Sequence, residues 1–155
     1  MLKDKPDETS DGLWRKDWPG EQKLAKADLD ETGLALINQF TPEPVGKEDV
    51  WTGSMKLAND QYDRADERFP KAYLQRFAET LPGKSVMLAH DYRTAPVGRF
   101  YDAEVRQDQS GSYLHAKYFL NADGPVTGDV RKGIMGPDSI GFQPDERLCD
   151  LCGKD

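Results

Sequence analysis

A chain of 155 residues is one domain by size and can bury roughly 68–70% of its unfolded surface. With 28 acidic against 21 basic side chains and a net charge of −7, non-specific attraction to nucleic acid is disfavoured. No apolar run approaches the ~20 residues that cross a bilayer, and the charged start MLKDKPDETSDG lacks a signal-peptide core, so a cytosolic chain is expected.

Residues 1–28 carry mostly Lys, Asp, Glu, Pro and Gly, with Leu13, Trp14, Trp18 and Leu24 scattered among them. They read as a flexible arm that buries too little apolar area to offset ordering entropy, although the two tryptophans could anchor it. The domain proper is expected over 29–155. GLALINQF from Gly33 reads as the first strand, stopped by Pro42 and Pro44, which cannot donate to a ladder. Residues 50–57 alternate with period two and predict a half-buried strand. Pro70 opens the clearest helix, with Phe69, Tyr73, Leu74, Phe77, Ala78 and Leu81 on one face. Lys71, Gln75, Arg76 and Glu79 fall on the other, and Pro82-Gly83 ends it.

A short strand over 85–89 leads to His90. After the Pro96-Val97-Gly98 turn, 99–105 alternates Arg99, Tyr101, Ala103 and Val105 against Phe100, Asp102 and Glu104. Residues 112–120 return as the second arm of an antiparallel hairpin. Residues 126–134 have room for two helical turns, and 139–142 begin another strand. Together these elements predict an α+β domain on a small, mostly antiparallel β-barrel with one clear helix.

Three groups of residues could carry chemistry. His90 sits where a strand runs into a loop, and Ser139 follows about 50 residues later, a separation that a hairpin can close into a base and a nucleophile. The structural alternatives are a loop histidine bonded to backbone and a serine starting a strand in a side-chain turn. Ser139 is not in the G-x-S-x-G arrangement of a nucleophile elbow. His115, the other histidine, falls in the middle of the hairpin, where it would face solvent or a neighbour, or contribute to the same site. Cys149 and Cys152, in CDLCG, have the spacing of half a tetrahedral zinc site. A redox pair is the rival reading, but no helix follows the motif.

The run LAHDYRTAPVGRFYDAEV, a strand such as SYLHAKYFL, and then SIGF resemble the prohead (capsid-maturation) serine proteases of tailed bacteriophages, relatives in fold of the herpesvirus assemblin proteases. In that family a histidine precedes a P-[IVL]-G-R segment and the nucleophile is the serine of S-[IVL]-G-F, so the resemblance implies catalytic roles for His90 and Ser139. It covers about residues 30–155. In one branch of the family a knuckle like CDLCG is followed by further Cys and His, which implies a structural zinc half-site at Cys149 and Cys152. Family members run on through at least one more strand that supplies the third catalytic residue. The resemblance therefore implies the N-terminal portion of such a protease, with a barrel incomplete at its C-terminus.

By the same resemblance, Ser139 attacks a scissile carbonyl and His90 takes its proton and hands it to the leaving amine, with no cofactor needed for catalysis. Asp91, Asp102 and Glu104 are nearby acids that could orient His90, and each also reads as a surface charge. The implied substrates are the phage scaffold, the scaffolding arm of the major capsid protein, and the protease itself, inside the prohead assembling in the bacterial host cytoplasm. Self-association is a further implied partnership, with no specific nucleic acid and no membrane. The rival class is an inactive, truncated relative acting as an assembly or scaffold-binding module. A third is a zinc-knuckle binding module.

Overall fold

The structure, a computed structural model, describes residues 25–62, 68–87 and 93–134, together with the backbone of 14–16 and 140–142. Its centre is the hairpin of β5 (Gly98–Asp108) and β6 (Gly111–Asn121). In β6 the even-numbered residues from Ser112 to Leu120 are buried and the odd-numbered ones half-buried, the period-two signature of a strand with one face on a core. β3 (Val50–Asn59) pairs along its other edge, and β2 (Ala25–Lys26) and β4 (Ser85–Val86) are short outer strands. The result is an antiparallel five-stranded sheet in the order β2-β3-β6-β5-β4, curled into a half-barrel. β1 (Trp14–Lys16) and β7 (Ile140–Phe142) form a second antiparallel pair, with Trp14 opposite Phe142 and Lys16 opposite Ile140. Two short strands thus come from residues 1–28.

The curl has a local cause. β3 carries a bulge between Lys56 and Ala58, and β5 carries one between Phe100 and Asp102, on either side of β6. A bulge places an extra residue against one on the partner, bends the strand and increases its twist. The one in β5 also reverses the parity of the strand. Phe100 stands opposite Tyr118 on the core face, whereas Ala103 and Val105 stand opposite Ala116 and Leu114 on that same face. The period-two expectation for 99–105 therefore holds only on each side of Tyr101, and Arg99 and Ala103 point to opposite faces.

Helix α2 (Lys71–Thr80) lies over β5 and β6 on the core face. It begins after Pro70, and Leu74 and Ala78 are buried against a cluster containing Met55, Leu57, Phe100, Leu114, Tyr118 and Leu120. Phe69 meets Phe77 edge to face, with ring centroids 5.2 Å apart. Lys71, Gln75, Arg76 and Glu79 are exposed, as the helical spacing predicts.

The expected first strand at Gly33 is instead helix α1 (Glu31–Asn38). Asp30 caps it, its carboxylate accepting from the Gly33 amide at 2.7 Å, and Ile37 is buried. A four-residue apolar run does not distinguish strand from helix by itself; the Asp30 cap and first-turn Glu31 decide it. The Asn38 carboxamide then folds the proline-containing loop, accepting from Val45 N at 2.8 Å and donating to Val45 O at 3.2 Å. A short helix α3 (Thr127–Arg131) completes the described elements, held by a 2.6 Å bond from Thr127 Oγ1 to the Asn121 carbonyl. No helix among the described residues is long and apolar enough to cross a membrane.

Candidate functional site

His90, Ser139, Cys149 and Cys152 all lie outside the described residues, as does Asp91. What the structure does describe is the scaffold on either side of the first two. Segment 87–96, which contains His90, leaves β4 and returns to β5, and Val97 N donates to Val86 O at 2.9 Å across its base. Ser139 immediately precedes β7, whose partner is β1.

The start of β5 is tightly built. Gly98 backs directly onto β6: a Cβ there would meet the Phe119 carbonyl oxygen at 2.4 Å and Leu120 Cδ2 at 2.5 Å. Only a residue without a side chain lets the strands approach so closely. Arg99 points to the other face, and its Nη1 donates to the Phe40 carbonyl at 3.0 Å, just past the end of α1. Phe40 in turn lies against Gly83, the left-handed residue (φ +88°) after α2; a Cβ on Gly83 would sit 2.9 Å from the Phe40 ring. Backbone bonds from Gly83 N to Phe100 O (2.8 Å) and from Phe100 N to Lys84 O (2.9 Å) close this corner. Arg99 belongs to the quoted P-V-G-R segment, yet the sequence assigns it no role, because its acceptor lies 59 residues upstream.

The sheet face opposite α2 carries two cross-strand rows of polar and charged residues. Ser54, Lys117 and Asp102 form one, and Lys56, His115 and Glu104 the next. Lys117 Nζ lies 3.6 Å from Asp102, and Arg106 Nε donates to Glu104 at 2.6 Å. Asp102 and Glu104 are thus engaged in surface ion pairs, which favours the surface-charge alternative for both. Lys56 Nζ reaches Asp108 at 2.6 Å and lies 4.3 Å from the centre of the Tyr113 ring. The Lys56 ammonium, followed by the Ser110 amide, holds the Asp108 carboxyl below the usual carboxylate range.

His115 stands half-buried between Lys56 and Glu104. Burial lowers its pKa first and the Arg106 charge second, with Lys117 adding to the effect and Glu104 and Asp102 opposing it. The imidazole is therefore biased towards its neutral form. Such a face supplies paired charges and a neutral ring. Among the described residues, no group of three or more His, Cys, Asp or Glu is arranged to hold a metal ion.

No family model, curated protein or solved structure matches this chain.

Proposed function

We propose that the chain is a serine endopeptidase of phage capsid maturation, with Ser139 as nucleophile and His90 as its general base. A serine hydroxyl is a weak nucleophile at neutral pH and needs an adjacent base to react. The observation that carries the reading is the P-V-G-R and S-I-G-F pair: each leads into a strand, β5 and β7, of an α+β frame whose main sheet is antiparallel and curled. This agrees with the small barrel that the resemblance implies. The substrates on this reading are the scaffold, the capsid-protein arm and the protease itself, within the assembling prohead. Cys149 and Cys152 would serve a structural zinc and take no part in peptide cleavage.

The test is a serine-directed fluorophosphonate probe on the purified chain, with the adduct located by peptide mass mapping. Labelling at Ser139 that disappears in Ser139→Ala and falls in His90→Ala supports the assignment. Labelling that persists in Ser139→Ala, or is absent in the parent chain, refutes it; absence points to the inactive assembly module.

A further inference from the structure

We propose that the outer edge of β5, from Ala103 to Gln107, docks a second copy of this chain. The two β5 strands pair antiparallel about a two-fold axis at Val105. The inference does not depend on the protease reading. β4 pairs only with Gly98 and Arg99, and no other described strand lies beyond β5. The outward backbone groups can be assigned one by one. Asp108 stands opposite Gly111 across the turn Gln109-Ser110, so these two residues exchange both of their backbone bonds. Bonded and unbonded pairs alternate from there, so Asp108, Arg106 and Glu104 turn their N–H and C=O towards β6. Gln107, Val105 and Ala103 turn theirs away from it. Before the bulge the outward residue is Phe100, whose N–H and C=O are taken by Lys84 and Gly83. After it, the outward groups of Ala103, Val105 and Gln107 meet no partner among the described residues. Glu104, Arg106, Gln107 and Asp108 are exposed, whereas Met55, Leu57 and Ala58 on β3, towards the other edge of the sheet, are buried.

The composition of this edge selects a second copy as its occupant. Edges that avoid pairing commonly carry lysine or proline, and residues 102–108 contain neither. With Val105 opposite Val105 of the other copy, Ala103 meets Gln107 and Gln107 meets Ala103, and every outward N–H finds an outward carbonyl. A shift of two positions in one direction runs into the bulge at Tyr101, and in the other past the turn at Gln109. The same register sets Glu104 opposite Arg106 of the other copy on both sides of the axis, in the closer, unbonded type of pair. Either shift would place Glu104 or Arg106 against itself. Within one chain Arg106 Nε already donates to Glu104 at 2.6 Å, so pairing joins two such couples into one alternating set. Asp102 meets Asp108, but Lys117 lies 3.6 Å from the first and Lys56 2.6 Å from the second. On the core face Val105, packed against the core cluster, meets its counterpart. At about 3.4 Å per residue the shared ladder is roughly 17 Å long and one strand deep. It buries less than the ~1,200 Å² of a standard interface, so the dimer is weak and reversible.

Sedimentation velocity of the full chain, from micromolar concentrations to about 1 mM, tests the proposal. The mass should rise with concentration from 17.4 kDa towards twice that value. Amide hydrogen exchange at Ala103, Val105 and Gln107 should slow as the dimer fills, while Glu104 and Arg106 stay protected at every concentration. Val105→Pro removes an outward donor, which an edge strand tolerates, and should leave a folded monomer throughout. Should that variant fail to fold, charge reversal carries the same test. Glu104→Arg and Arg106→Glu each set like charges opposite one another and should each weaken association roughly 10-fold. An equimolar mixture of the two should restore it, because every reversed side chain then faces its opposite. A parent chain that stays monomeric overturns the proposal: fast exchange at the three amides would mean an unoccupied edge, and slow exchange an edge covered by the chain itself. A dimer indifferent to Val105→Pro and to both charge reversals uses another surface and overturns it equally.

Discussion

Thr52 Oγ1 of β3 donates to the Ala27 carbonyl at 2.7 Å, and the Ala27 amide returns a 3.0 Å bond to the Thr52 carbonyl. The pair ties β3 to the chain that follows β2. Thr52 is buried opposite Phe119 of β6, whose ring lies 6.2 Å from that of the buried Tyr101 on β5. Burial pushes the Tyr101 pKa up to about 12, helped by the Asp102 charge, so the phenol remains a donor throughout the neutral range.

Removing the Thr52 hydroxyl should cost more than removing that of Tyr101. Thr52→Val strands the Ala27 carbonyl and should cost about 1–3 kcal/mol. Tyr101→Phe leaves the Thr52–Ala27 bond intact and should cost about 1 kcal/mol. Urea unfolding of the two variants measures the difference, and equal costs would contradict the weight given to the Thr52–Ala27 bond.

His115 should make the fold acid-sensitive. Its folded pKa lies below the ordinary value of 6.5, so the unfolded chain binds the proton more readily. The contribution is present above about pH 6.5 and is lost as pH falls through that value towards the folded pKa. The facing groups are Lys56 on β3, Asp102, Glu104 and Arg106 on β5, and Lys117 and Tyr113 on β6. Unfolding curves between neutral and mildly acidic pH should be flatter for His115→Gln than for the parent chain. Identical acid dependence in the two proteins would remove His115 as the cause.

Asp30 should be the local anchor of α1. Its carboxylate satisfies the Gly33 amide, one of the donors a helix start leaves unpaired. Asp30→Ala should destabilise by about 1 kcal/mol, while Asp30→Asn, which keeps an acceptor, should come within a few tenths of the parent. Urea midpoints at constant slope check both; an equal loss in the two variants would point to the charge rather than the hydrogen bond.

Parts of the fold were legible because their signals are local. The α2 stripe from Phe69 to Leu81 repeats at helical spacing, and β6 alternates without interruption over its core positions. The α1 segment is ambiguous in the sequence because LALI is short enough to fit either period, and the Asp30 cap before it is what selects the helix. Residues flanking Tyr101 were assigned correctly to a strand but not to the correct faces. One extra residue leaves composition untouched while turning every following side chain over. For the candidate site, the P-V-G-R segment could be quoted as a motif, whereas the Arg99 acceptor could not, because nothing near Arg99 in the chain names Phe40.

The amino-acid sequence alone determined the α2 helix and the β5–β6 hairpin, since each depends on neighbours within a few positions. Tertiary structure alone decided the strand order β2-β3-β6-β5-β4, the two bulges that curl it, the Thr52–Ala27 bond and the anchoring of Arg99 on Phe40. The physical reason is the same in each case. Local periodicity selects which face a residue prefers, but the partner of a buried polar group is whichever one the packed chain brings within about 3 Å.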